Sequence, residues 1–164
     1  MKRFVAALAV ALAAACTPPA SDAPQSIEGG PRAAEAPAEV LAAIRAEDAS
    51  FQPSESIEDA TIGTVVWKVT GTGDGAPTYH VMNSNEGWRV VQIRRELVWG
   101  DAPEAVRNAV AMSPQAIVPA RVTEVREPGA DGVMYDLYAD PNADAPTLTV
   151  RMVGNEAAIM PPPH

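Results

Sequence analysis

The chain has 164 residues, 47% of them hydrophobic, and a formal net charge of −9 at pH 7. That length suits one sizeable core rather than two large domains, and the acidic balance repels phosphate backbones, which argues against nucleic-acid binding. Aromatic residues make up only 5%, so packing must rest on Val, Ile, Leu and Met, and the lone Cys16 excludes an internal disulfide and any cysteine-based zinc cluster.

Met1-Lys2-Arg3 is a short basic segment, followed by an unbroken apolar run from Phe4 to Ala15. This run has the length of a signal-peptide core and is too short to span a bilayer as a stable helix. Ala13-Ala14-Ala15 lead directly into Cys16. The arrangement resembles the lipobox of bacterial lipoproteins, with Ala13 where that family usually carries Leu. The resemblance implies cleavage after residue 15 and diacylation of Cys16, the lipid-attachment residue. Thr17 rather than Asp after the cysteine favours the outer membrane, with the chain facing the periplasm. An ordinary secretory signal cut after the Ala13-x-Ala15 pair, leaving Cys16 unmodified, is the alternative. Loss of the two cations Lys2 and Arg3 with the leader takes the formal charge from −9 to −11.

Residues 16–37 contain Pro18, Pro19, Pro24, Pro31 and Pro37 with Gly29-Gly30 and no apolar periodicity, the composition of a disordered, partly polyproline-like tether. Fully extended at about 3.1 Å per residue, it allows the folded part to stand roughly 60 Å from a membrane.

Residues 38–100 form the first expected folded unit. Val40, Leu41 and Ile44 make one apolar stripe on a helix over Glu39–Ala49, with Pro37 where a helix start tolerates it. Gln52–Ala60 is polar and broken by proline, which predicts a loop. It contains the acidic cluster Glu55, Glu58 and Asp59, a weak calcium candidate more simply read as solvated surface. Val65, Trp67 and Val69 alternate with Thr64, Lys68 and Thr70 as in a half-buried strand. Gly71–Gly75 is a turn; it lacks the lysine and the helix of a phosphate loop. Tyr79 and Val81 continue the inward face, Asn83–Gly87 turns the chain, and Trp88–Trp99 is a long strand.

Residues 101–164 form the second unit. Asp101-Ala102-Pro103-Glu104 reads as a capping box; Val106, Ala109 and Val110 make the helical stripe, and Pro114 ends it. Strands follow at Arg121–Glu127, Gly132–Ala139, Thr147–Val153 and Glu156–Met160, with Val133/Tyr135/Leu137 and Leu148/Val150/Met152 facing inward. An offset of 66 residues carries Ala36-Pro37 onto Ala102-Pro103, Val40 onto Val106 and Ile44 onto Val110, which suits a duplicated supersecondary unit. The expected fold class is therefore α+β: two helix-plus-antiparallel-sheet units of αβββ type, with both helices on one face of the sheet.

The second unit resembles a PepSY-like domain and one half of the β-lactamase-inhibitor-protein fold. The resemblance rests on Ala-Pro-Glu-Ala-Val-Arg-Asn-Ala-Val, Arg-Val-Thr-Glu-Val-Arg-Glu, Gly-Val-Met-Tyr-Asp-Leu-Tyr-Ala-Asp and Thr-Leu-Thr-Val-Arg-Met-Val-Gly, spanning Ala102–Pro161 and more loosely Ala38–Trp99. It implies extracytoplasmic binding, in some members inhibition of a peptidase, and transfers no functional residue.

No catalytic constellation is present in the sequence. His80 has no histidine or acidic partner at metal-ligand spacing, His164 follows Pro161-Pro162-Pro163, and no serine sits in a nucleophile elbow. Neither a metal nor another cofactor is implied. The face opposite the helices is expected to carry Thr64, Lys68, His80, Trp88, Gln92 and Arg94 from the first unit and Asp136, Tyr138, Thr149 and Arg151 from the second. Trp88 and Tyr138, with Arg94 and Arg151, are the candidate partner-binding residues, since aromatic and arginine side chains anchor interfaces. The expectation is a lipid-anchored, periplasm-facing protein, not an enzyme, that binds or regulates an envelope peptidase or other envelope protein or peptide. The alternatives are a structural lipoprotein supporting an envelope complex and, further off, a hydrolase.

Overall fold

The computed structural model describes residues 30–60 and 63–161. The leader, Cys16 and most of the tether lie outside the described residues, as does His164. One nine-stranded antiparallel sheet dominates, and its strands lie side by side in chain order. They are β1 (Arg32–Ala33), β2 (Pro53–Asp59), β3 (Val66–Gly71), β4 (Thr78–Ser84), β5 (Gly87–Leu97), β6 (Arg121–Arg126), β7 (Val133–Tyr138), β8 (Leu148–Val153) and β9 (Glu156–Ile159). Two short helices, α1 (Ala38–Glu47) and α2 (Glu104–Ala111), interrupt this meander after β1 and β5. Among the described residues no helix is long and apolar enough to cross a membrane.

The expected pair of helix-plus-sheet units is overturned. β5 is 11 residues long and serves both sides of the supposed boundary at residue 100. Thr78–Ser84 pair with its first part, while Ile93–Leu97 pair with Val122–Arg126 of β6. The ladder thus runs unbroken through the point where one unit was to end, and the fold is a single sheet carrying two helices.

Each helix is short because proline starts it and the chain soon leaves it. Pro37 and Pro103 stand at the N-caps with no side-chain cap. The capping box at Asp101 and Glu104 does not form: Asp101 lies in a 3-10 turn, Trp99–Asp101, and Ala102 is extended at φ −62°, ψ 143°. A residue before proline is pushed out of the helical region, so the helix starts after Pro103 and Asp101 lies two residues before the capping position. The buried stripes are Val40 and Ile44 on α1 and Val106 and Val110 on α2, an i, i+4 spacing that puts one face of each helix on the sheet. Beneath α1 lie Phe51, Trp67, Val69, Tyr79, Val81 and Val90. Beneath α2 lie Val122, Tyr135, Leu137, Leu148 and Val150.

The segment expected to be a loop at Gln52–Ala60 is β2. It escaped the alternation test because it is polar on both sides. Ser56 and Glu58 lie opposite the inward Val69 and Trp67, whereas Glu55 and Ile57 lie opposite the outward Thr70 and Lys68. Near a sheet edge a strand needs no apolar face, and charge there discourages pairing with another chain. The acidic cluster is split by the same alternation. The Glu58 carboxylate accepts from Arg32 Nε at 2.8 Å, and that of Asp59 from Lys68 Nζ at 2.7 Å. No group of three or more His, Cys, Asp or Glu among the described residues is arranged to hold a metal ion.

Candidate functional site: the uncovered face of the sheet

β5 decides which side chains share the face away from the helices. Ile93 packs against the cluster under α1 and Leu97 against the cluster under α2. Residues 93, 95 and 97 of one strand point the same way, so both helices cover the same face. The opposite, reverse face carries Lys68 and Thr70 of β3, Thr78 and His80 of β4, Gln92 and Arg94 of β5, Thr123 of β6, Asp136 and Tyr138 of β7, and Thr149 and Arg151 of β8, as the cross-strand pairs require.

Trp88 does not belong to that set. His80 pairs with Gln92, but the next residue, Val81, pairs with Val90, leaving Val91 as an extra residue in β5. Such a bulge reverses the phase of everything before it. Trp88 therefore points to the helix side, where it packs half-buried against the first cluster. Its expected place on the reverse face is corrected accordingly.

Tyr138 does lie on the reverse face, but it is only 3% exposed, so it is no free anchor for a partner. The Arg121 guanidinium lies over its ring, 3.8 Å from the centroid, a cation–π contact. At the other end Arg94 Nη2 reaches the Tyr138 hydroxyl oxygen and Asp136 Oδ2, both at 3.4 Å, while Nη1 donates to Gln92 Oε1 at 3.4 Å. Arg151 is exposed on the same face and donates from Nη2 to the Asp131 carbonyl at 2.8 Å. Of the four candidate residues the fold thus brings Arg94 and Tyr138 into contact, places Arg151 elsewhere on the face, and turns Trp88 to the other side.

Arg94 opens onto a cavity of about 500 Å³. Its walls include Thr70, Thr78, His80, Arg95, Glu96, Arg121 and Thr123 on the strands, with Gly73–Ala76 of the β3–β4 turn. Thr70 and Thr78 share a hydrogen bond between their hydroxyls at 3.0 Å. Arg121 and Thr123 were not singled out in sequence. The strand Arg-Val-Thr-Glu-Val-Arg has Val122 and Val125 on opposite faces, and both are buried, so its polar residues could not be given a side without knowing the neighbouring strands. A second cavity of about 590 Å³, between the end of α2 and β8–β9, has Pro114, Leu148 and Met160 in its walls and no charged side chain. The reverse-face cavity is therefore the better place for ionic recognition.

His80 is neutral in this setting. Burial first, then the nearby Arg94 and Lys68 cations, lower its pKa from 6.5 to about 4, with Asp59 opposing. Because the folded value is depressed, the unfolded chain binds the extra proton between pH 6.5 and 4, and the stability present above pH 6.5 is lost as pH falls through that window. Since water still reaches part of the ring, the effect is about 2 kcal/mol, less than the full shift would give. Urea unfolding of wild type and His80→Gln at pH 7 and pH 4 should show that extra loss in wild type alone; equal losses would contradict the burial of this histidine.

On the helix side, Tyr135 donates to Glu124 Oε2 at 3.3 Å, and Arg126 Nε holds Glu124 Oε1 at 2.8 Å. Burial and the Glu124 charge push the Tyr135 phenol up to about 12. Glu124 is the one carboxylate among the buried side chains of the described residues, and its partner Arg126 is exposed, so the group reaches the surface. No family model, curated protein or solved structure matches the chain at a significant level.

Proposed function

We propose that this chain is a lipid-anchored, periplasm-facing binding protein that docks another envelope protein or peptide on the reverse face of its sheet. The observation that carries the reading is the placement of both helices on one side, which leaves the other side without a helix over it and with a cavity of about 500 Å³ lined by charged residues of both signs. A sheet face that only had to be wet would not need Arg94, Arg121 and Asp136 gathered around one buried tyrosine. Desolvating such groups costs free energy that a partner's complementary charge offsets. The basic start, apolar run and Cys16 supply the address and the anchor, and two or more acyl chains give an attachment that a single chain does not.

Palmitate labelling of the full chain and of Cys16→Ala in a host that processes lipoproteins tests the anchor. A photo-crosslinking residue at Thr78 on the reverse face, against one at Glu39 on the exposed side of α1, tests the surface. Labelling that requires Cys16, together with a discrete envelope partner captured from Thr78 and not from Glu39, is the expected result. Unlabelled wild type, or equal capture from both positions, overturns the reading.

A further inference from the structure

We propose that a second copy of this chain docks on the free edge of β9, antiparallel to it about a two-fold axis at Ala158, so that one sheet runs through both copies. The backbone is the first reason. Among the described residues β9 pairs with β8 alone. The Met160 N–H donates to the Thr149 carbonyl at 2.9 Å, and antiparallel ladders turn successive residues to alternate sides. Glu156 and Ala158 therefore bond to β8 as well, while the N–H and C=O of Ala157 and Ile159 point outward along the open edge. The two-fold arrangement sets Ala157 of each copy opposite Ile159 of the other, and each such pair exchanges two backbone hydrogen bonds.

The contrast between the two edges of the sheet is the second reason. At the other edge β1 has two residues and follows Pro31, and β2 behind it carries Glu55, Glu58 and Asp59. Short length, proline and charge are the usual guards against edge pairing. From residue 157 to 161, β9 and its continuation carry no charge, and Ala158, Ile159 and Pro161 are exposed. The formal charge of −9 makes copies repel one another wherever charged surfaces approach, so this strip is a favourable place for them to meet. Glu156 stands at one end of it, and the two-fold arrangement places it opposite Met160 of the other copy. The two Glu156 carboxylates are then about 14 Å apart along the strands, beyond the screening length of roughly 8 Å.

The helix layer selects the occupant. α2 lies over β8 and β9. Glu104 and Ala105 at its start border Gly154 and Asn155, and Ser113 and Pro114 after its end border Ile159 and Met160, so it runs alongside β9 in the same direction. Ala105, Ala109 and Met112 succeed one another at helical spacing on the flank toward that edge, whereas Arg107 on the other flank donates to the Gly100 carbonyl. Met112 is 79% exposed. Both layers of the fold thus end together at one uncharged border. An extended peptide added to β9 satisfies the strand and leaves Met112 and the α2 flank in water; a second copy brings both a strand and a helix. Ile159 pairs with the inward Val150, so it lies on the helix side, and there it covers Ala157 of the other copy. The two α2 helices come side by side, antiparallel and about 10 Å apart, a normal packing distance. The border is smaller than a stable interface of roughly 20–30 residues a side, which makes the pairing reversible and suits a trapping experiment.

The test is disulfide trapping in cells that express the full chain, with linked peptides identified by mass spectrometry so that any bond through Cys16 is told apart. Opposed residues that share no ladder hydrogen bonds have Cα atoms about 4.5 Å apart, within disulfide reach. Ala158→Cys should give a covalent homodimer on mild oxidation. Two differently tagged chains, Glu156→Cys and Met160→Cys, should join to each other at least fivefold more than either joins to itself. Ala33→Cys, on the opposite edge, should stay monomeric. Adding Ile159→Lys to Ala158→Cys should cut the homodimer at least fivefold, with circular dichroism confirming that the chain is folded. No homodimer from Ala158→Cys, equal joining in all combinations, an equal homodimer from Ala33→Cys, or a homodimer indifferent to Ile159→Lys overturns the inference. So does a bond from Ala158→Cys to a different protein in place of a second copy, which would make the edge a site for another protein's strand. None of these results bears on capture from Thr78, which reads the reverse face separately.

Discussion

Replacing Gly132 with alanine should lower the unfolding free energy by about 3–4 kcal/mol, among the largest losses a single methyl can cause. Gly132 has φ +94° in the turn leading into β7, and a Cβ built there would lie 2.5 Å from the Met152 carbonyl oxygen and 2.9 Å from Val153 Cγ2. The two costs are separate. A side chain at this φ is strained whatever the space around it, and the contact is with the backbone of a paired strand, which cannot swing away. Gly129, three residues earlier, has φ +81° but nothing within 4 Å of its imagined Cβ. Gly129→Ala therefore pays only the dihedral cost, about 1 kcal/mol. Denaturant melts of the two variants isolate the steric part. If both fell by the same amount, the approach of β8 to this turn would be wrong. The same turn supplies the Asp131 carbonyl that holds Arg151, so Gly132→Ala should also loosen that arginine.

Strands β3, β4 and β6–β9 were legible because each lies under a helix or beside a strand that does, and one-sided burial writes itself as alternation. Val133/Tyr135/Leu137 and Leu148/Val150 point inward as the pattern demands. β2 carries no such signature, since its neighbours bury neither of its faces. The bulge in β5 left a trace that alternation alone did not resolve: the inward residues Trp88, Val90, Ile93 and Leu97 change spacing between Val90 and Ile93, where the extra Val91 sits. Reading the strand in one phase sent Trp88 to the wrong face while keeping Arg94 on the right one. The site itself was half visible. Arg94, Tyr138 and Asp136 were assigned to the correct face, but their meeting with Arg121 depends on the register of β5 against β6 and of β6 against β7. A helix and a loop separate β5 from β6 in the chain, and no local pattern fixes pairing across such a gap. For the same reason the continuity of the sheet was hidden. The matching helices at an offset of 66 residues say nothing about whether the strands between them pair.

That continuity has a thermodynamic consequence. Ile44 under α1 and Leu137 under α2 are both 0% exposed and belong to different clusters. Truncating either to alanine removes buried methylenes and leaves a cavity, at a cost of about 3 kcal/mol each. Two independent units would respond separately, the altered half melting first and the other at its original midpoint. Here β5 contributes Val90 to one cluster and is held by β6 through Leu97 and Val122 beside the other. Loss of either half removes the partner strand of the remaining half and exposes its edge. Ile44→Ala and Leu137→Ala should therefore each shift one common transition, followed by circular dichroism and by tryptophan fluorescence. The double variant should lose the sum within about 0.5 kcal/mol, since the sites share no contact. The probes are suitably placed, with Trp67 and Trp88 by the first cluster and Trp99 by the second. Non-coincident melts, with Ile44→Ala moving one and sparing the other, would mean that the β5–β6 ladder does not couple the two sides and that the reverse face is not one rigid surface for a partner to meet.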